Sequence, residues 1–163
     1  MSCRVAITTS REPSKATLEL VNDLINSLPG TTKIVRGKKS FIMLLEEAVS
    51  CGARFIAFIW DRRGTPSALL FYDISLRAWR PYMLLIAGVR TRRDFPAFVA
   101  RRPRARSAVI VDLAGGELGD ILSEVFHYPI IYDLDAVKGR FDTIILIRRG
   151  EGYVVEFLGS DLG

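Results

Sequence analysis

The sequence predicts an α/β fold with mixed sheets, built as two similar halves, on the strength of three observations. An apolar stretch leading into a helix-spaced stretch occurs twice, at 5–7 before Leu20, Val21, Leu24, Ile25 and Leu28, and at 108–111 before Ile121, Leu122, Val125 and Phe126. Each copy then ends in strand, turn and strand: 54–60 and 67–74 around Asp61-Arg62-Arg63-Gly64, and 142–147 and 153–158 around Arg148-Arg149-Gly150. No Gly/Ser-rich linker parts the copies, which predicts halves that pack rather than a tethered pair.

In chain order, the first strand runs into Thr8-Thr9-Ser10-Arg11-Glu12-Pro13-Ser14, where small hydroxyls and a cation meet a change of chain direction. Pro13 suits a first helical turn, Ser10 or Ser14 suits a cap, and the amides at a helix start attract anions. A short strand around Ile34 and Val35 leads to Arg36-Gly37-Lys38-Lys39 and a second helix with Phe41, Leu44, Leu45, Ala48 and Val49 on one face. Two strand-to-helix turns suited to phosphate are therefore expected to point the same way. After the first hairpin, 82–89 reads as a buried strand and 94–100 as a short helix on Phe95, Phe98 and Val99. From opening strand to hairpin the second copy is about eighteen residues shorter, roughly one helix and a loop. It is expected to have lost or shrunk the helix that follows Lys39 in the first.

Thr8-Thr9-Ser10-Arg11 and Pro13-Ser14, followed past an amphipathic helix and Pro29 by Arg36-Gly37 before a second helix, resemble the Brix-domain proteins of ribosome biogenesis. The match is to the small-subunit rRNA-processing type in a minimal, archaeal-like version. Arg62-Arg63-Gly64-Thr65-Pro66 is similar to that family's hairpin turn, whereas 74–81 departs from its usual Gly-Pro-Thr turn. The resemblance implies one Brix domain over 1–163, with a first half at 1–80, a connecting strand and basic connector at 81–106, and a smaller second half at 107–163. Each half is then expected to be similar to the anticodon-binding domain of class II aminoacyl-tRNA synthetases. The family's role implies a ribosome-assembly factor that binds precursor rRNA or a related small guide RNA, works beside ribosome-assembly proteins, and needs neither catalysis nor a cofactor. A cytoplasmic protein, monomeric when free, is expected.

The charge distribution supports a polyanionic partner. The chain carries a net +5, but residues 1–89 hold 12 Lys/Arg against 7 Asp/Glu, residues 90–106 hold 7 against 1, and residues 107–163 hold 4 against 10. Cations that neutralise phosphates release condensed counterions, so the basic first half and connector are where RNA is expected. A solvated, ion-paired arginine surface is the competing explanation, yet seven cations beside the single Asp94 cannot all pair locally. The candidate RNA contacts are Thr9, Ser10, Arg11, Ser14, Lys15, Arg36, Gly37, Lys38, Lys39, Arg62, Arg63, Arg92, Arg93, Arg101, Arg102, Arg104 and Arg106, with Trp79 as a base-stacking candidate.

Other chemistries find little support. Cys3 and Cys51 lack Cys or His neighbours at ligand spacing and read as free thiols. No apolar run is long enough to span a bilayer, and the N-terminus enters a strand without a signal-peptide pattern, so no membrane partner is expected. His127, the one histidine, falls near a helix end with no Ser/Asp or Cys partner placed by motif. Gly115-Gly116-Glu117-Leu118-Gly119 fits neither phosphate-loop pattern and reads as a turn and a cap. Glu46 and Glu47 point in different directions on a helix, and Asp133, Asp135 and Asp142 lack the spacing of a calcium loop, so turn roles are expected for the three aspartates. Two alternatives stay open: an interaction module whose acidic second half docks a basic ribosomal or assembly protein, and an enzyme acting on RNA or nucleotides.

Overall fold

The structure, a computed structural model, describes residues 3–91 and 103–160. The helix expected over 94–100 lies outside the described residues. Two compact units emerge, one on residues 3–25 and 30–91 and the other on 26–29 and 103–160.

In the first unit, β1 (Val5–Thr9), α1 (Lys15–Ser27), β2 (Thr31–Lys33), α2 (Phe41–Ser50), β3 (Phe55–Arg62), β4 (Thr65–Asp73) and β5 (Ala78–Leu85) form a mixed sheet ordered β2-β1-β3-β4-β5. β1 runs parallel to both β2 and β3, and the remaining pairs are antiparallel. The inner strands are continuous apolar runs because both of their faces are covered: Val5, Ala6, Ile7 and all of 55–59 are buried. From β1 the chain crosses outward to β2 and then back past β1 to β3. Right-handed crossovers in opposite directions put α1 and α2 on opposite faces of the sheet. Beneath α2, Leu44 and Ala48 close over Ala6, Ile34, Ile56, Phe58 and Tyr72, with Phe41 and Leu45 at the margin.

The second unit holds β6 (Ala108–Asp112), α3 (Leu118–Phe126), β7 (Ile130–Ile131), a turn of 3-10 helix (Asp135–Val137), β8 (Thr143–Arg149) and β9 (Tyr153–Gly159), ordered β7-β6-β8-β9. Its parallel, parallel, antiparallel pattern repeats that of β2-β1-β3-β4. Where the first unit has α2, the second has only the 3-10 turn, from which Val137, joined by Leu134, seals Val109, Val111, Ile144 and Leu146. The expected repetition and the shrunken helix are both present in the topology.

Several boundaries differ from those expected. β2 is Thr31–Lys33, and Val35, read from sequence as strand, is 64% exposed beyond it. Pro13 stands one residue before the capping Ser14 rather than inside the helix, and Val49 of α2 faces solvent. The strand expected to be buried at 82–89 is β5, Ala78–Leu85, which belongs to the first sheet. It is an edge strand, covered on one flank only, and so Met83 and Leu85 are 52% and 78% exposed. The first hairpin turns on Arg63 and Gly64 alone, whose φ values of 53° and 78° are those of the two-residue type I′ turn that matches strand twist. The second turns over Gly150-Glu151-Gly152, with the Gly150 N–H donating to the Gly152 carbonyl at 2.8 Å. The two Arg-Arg-Gly runs are thus not equivalent turns.

Asp73 organises the β4–β5 connection. One oxygen of its buried carboxylate accepts from the Ser75 N–H at 2.9 Å, the Ser75 hydroxyl at 2.7 Å and the Leu76 N–H at 3.2 Å, and the other lies 3.5 Å from Arg54. Burial alone would raise its pKa, but these hydrogen bonds and the Arg54 charge outweigh it and hold the carboxyl below the ordinary value. A depressed carboxylate stabilises the fold above the unfolded value near pH ~4, and that stability is lost as pH falls through the lower folded value. Asp73→Asn is therefore expected to cost about 1–3 kcal/mol at neutral pH. Urea unfolding across a pH series should show the gap to wild type narrowing below pH ~4; a gap constant with pH would contradict this role.

Candidate nucleic-acid interface

The parallel strands of the first sheet bring their carboxyl ends to one margin, where the connections after β1 and β2 diverge to opposite faces and leave a crevice. Arg36 fills it. Its Nη1 donates to the Thr9 carbonyl and its Nε to the Lys39 carbonyl, each at 3.2 Å, so one guanidinium ties both phosphate-suited turns together. The Lys39 N–H closes its own turn on the Arg36 carbonyl at 3.0 Å, a path that takes Gly37 to φ 49°. Burial, and then repulsion from Arg11, push the Arg36 pKa down from the ordinary arginine value. The first hairpin turn lies at this same sheet margin, beside an open hollow lined by Arg62, Arg63, Thr65 and Ser67.

Three backbone amides of the first turn and helix start, those of Ser10, Ser14 and Thr17, have partners within the protein. The Ser14 hydroxyl caps α1 by accepting the Thr17 N–H at 3.2 Å, and the Ser14 N–H donates to the Asp61 carboxylate. Ser10 gives its N–H to the Ile59 carbonyl at 3.0 Å, and its hydroxyl accepts from the Asp61 N–H at 3.3 Å. Thr9 and Ser10 are buried. Asp61 thus already places one of the protein's own anions at this turn, and the cations around it are the side chains offered to phosphate. Arg11, Lys15, Lys38, Arg62 and Arg63 are exposed, whereas Lys39 is ion-paired with Glu47. Neither Asp61 nor Glu47 was expected to matter. The signal for Asp61 is its odd position in β3, which puts it on the side opposite Phe58 and Trp60.

Trp79 sits within β5 rather than between strands, with its ring centroid 5.2 Å from Phe58, 5.3 Å from Tyr72 and 5.9 Å from Phe41, so one side of the ring packs against this cluster. Arg104 and Arg106 are exposed in the second unit, where the Arg106 N–H donates to Asp142 Oδ2 at 2.9 Å. Arg92, Arg93, Arg101 and Arg102 lie outside the described residues.

The glycine-rich loop of the second unit is a turn that the protein itself fills. Asp112 Oδ1 accepts the N–H groups of Ala114 and Gly115 at 2.9 and 3.1 Å, and the Glu117 N–H donates to the Tyr153 hydroxyl at 3.2 Å. The Arg149 guanidinium stacks 4.4 Å over the Tyr153 ring. His127 ends α3 in the left-handed region at φ 63°, with its N–H on the Ser123 carbonyl at 2.9 Å. Among the described residues no group of three His, Cys, Asp or Glu side chains is placed to hold a metal, and no helix is long and apolar enough to cross a membrane.

No family model matches the chain. A curated relative from Pyrobaculum aerophilum, described as a "Probable Brix domain-containing ribosomal biogenesis protein", is 73% identical over 161 residues, spanning 99% of this chain and 89% of the relative. A Saccharolobus solfataricus protein of the same description is 30% identical over 135 residues, spanning 82% of this chain and 78% of its own length. Among solved structures, the crystal structure of a probable ribosomal biogenesis protein from Aeropyrum pernix is similar with a TM-score of 0.76 at 24% identity, covering 96% of this chain and 89% of that one. Mil, an archaeal Imp4-like protein, is similar over the same shares with a TM-score of 0.66 at 22% identity.

Proposed function

The chain belongs to the Brix-domain family of ribosomal biogenesis proteins, and on that premise we propose that it binds precursor rRNA and holds it while the surrounding helices form, without catalysis. The observation that carries this reading is the gathering of Arg11, Arg36, Lys38, Arg62 and Arg63 at one sheet margin, with Arg36 joining the two turns. Phosphates neutralised there release counterions and fix the position of the strand, while base identity contributes little to affinity. We extend the proposal to one Brix domain over 1–163 whose halves are each similar to a class II synthetase anticodon-binding domain. The repeated strand order supports that extension. The connector arginines, Arg104 and Arg106 among them, are further candidates for phosphate contact by virtue of their charge, and a small guide RNA offers the same phosphate chemistry as precursor rRNA. The protein acts in the cytoplasm, monomeric when free and together with ribosome-assembly proteins.

A second reading rests on the 10 acidic against 4 basic residues of 107–163, which suit docking of a basic ribosomal or assembly protein. Crosslinking to RNA in cells, followed by sequencing of the bound fragments, separates the two. Enrichment of precursor rRNA is the expected result. Recovery of protein partners that survives nuclease, with no enriched RNA, would reject RNA binding as the primary role.

A further inference from the structure

Beside its basic margin the first sheet carries an apolar patch. Pairing across β3, β4 and β5 aligns Trp60 with Ala68 and Leu85 in one row, and Phe58 with Leu70 and Met83 in the next. These rows lie on the face that α2 covers further along, where Phe58 joins the core under that helix. Here the cover has ended. Trp60 is 47% exposed beside the more open Leu85 and Met83. Arg62 follows Trp60 on the same face of β3, about 7 Å along the strand, which is within the span of one nucleotide. Arg63 continues the charge around the turn, and the turn that bears Lys38 leads into α2 on this same side.

Resting on the RNA-binding reading above, we propose that this patch is a stacking platform for unpaired bases: one base of a single-stranded RNA lies on the Trp60 indole while its phosphates are held by Arg62 and Arg63. Charge complementarity selects this occupant. An apolar peptide strand would cover Met83 and Leu85 but leave the arginines bordering Trp60 without counter-charge, whereas a single strand presents a π-face and a phosphate within the same short span. A duplex keeps its bases stacked on each other and offers none to the indole. The platform therefore selects single strands, and the indole adds affinity without reading sequence.

Two tryptophans make the test direct. In the full chain labelled with 5-fluorotryptophan, the two fluorine resonances are assigned with Trp60→Phe and followed while a short mixed-sequence RNA is added, single-stranded or paired to its complement. The Trp60 signal is expected to shift with the single strand and to stay in place with the duplex. Trp60→Ala should weaken single-strand binding about 5- to 150-fold while leaving the salt slope unchanged, because every cation is kept. Trp60→Phe should keep most of the affinity, and matched melting curves for the three proteins confirm that the fold is intact. Single-strand binding that is unaffected by Trp60→Ala, or a duplex that binds as tightly, overturns the platform and leaves RNA binding standing. If wild type binds neither RNA, both readings fall. If Trp60→Ala releases a protein partner and leaves RNA affinity unchanged, the patch is a protein site and the proposal is wrong.

Discussion

Alanine at Arg11, Lys38, Arg62 and Arg63 together is expected to flatten the salt dependence of single-strand RNA binding by up to about three units, at roughly 0.7 for each phosphate no longer neutralised. All four are exposed at the carboxyl margin of the first sheet. Replacing Arg36, Lys38 and Lys39 instead should flatten it by nearer one unit than two. Lys39 is already paired with Glu47, and Arg36 spends hydrogen bonds on the Thr9 and Lys39 carbonyls. The Arg36 change should therefore be felt in the order of the two turns as well as in charge, and hydrogen exchange of the 8–14 and 36–40 amides reads that effect. A triple variant whose slope falls by the full amount of about two units would show that Lys39 and Arg36 are free to meet phosphate.

The largest expected loss of stability comes from Phe58→Ala. Phe58 is 3% exposed and touches Phe41 in a stacked pair at 6.0 Å and Trp79 at 5.2 Å. Its removal leaves a cavity beneath both α2 and the exposed strand margin, which should cost about 3–5 kcal/mol by urea unfolding. Ile42→Ala, at a side chain 66% exposed on α2, should cost less than about 0.5 kcal/mol. Comparable losses from the two would mean that the core does not lie where the cluster under α2 places it.

Much of this architecture is written in local pattern. The strand-to-helix turns at Ser10–Ser14 and Arg36–Lys39, both hairpins and the missing second helix follow from apolar spacing and Gly placement, because each depends on neighbours in the chain. What escaped depends on partners far away in sequence. Asp61 reaches back 47 residues to the Ser14 amide, and its side of the strand, the one local trace, does not tell which turn it meets. β5 runs from Ala78 despite Pro81 because its pairing with β4 is irregular between Trp79 and Met83, and a proline is tolerated at such a break in an edge strand, a tolerance that the sequence alone hid. Apolar Ile34 and Val35 resemble a strand more than Thr31-Thr32-Lys33 do, yet β2 pairs with β1 over Thr31–Lys33, and only Ile34, whose N–H reaches the Ile7 carbonyl at 2.9 Å, continues the contact. For the tryptophans, flanking arginines drew attention to Trp79. Cross-strand register packs one side of Trp79 against Phe41, Phe58 and Tyr72 while leaving it 46% exposed, and it places Trp60, equally exposed, beside the cations of the turn.

The placement of RNA on the basic first half is tested most directly by titrating a labelled single-stranded precursor-rRNA fragment at several salt concentrations. The proteins compared are wild type, the Arg11, Lys38, Arg62 and Arg63 variant, and a variant with Ala at Lys138 and Arg140. The latter two cations stand among Asp133, Asp135 and Asp142 in the sequence, so their loss is already compensated. A weaker, flatter curve for the first variant and a wild-type curve for the second is the predicted outcome. Equal losses from both sets, or no loss from the first, would contradict it.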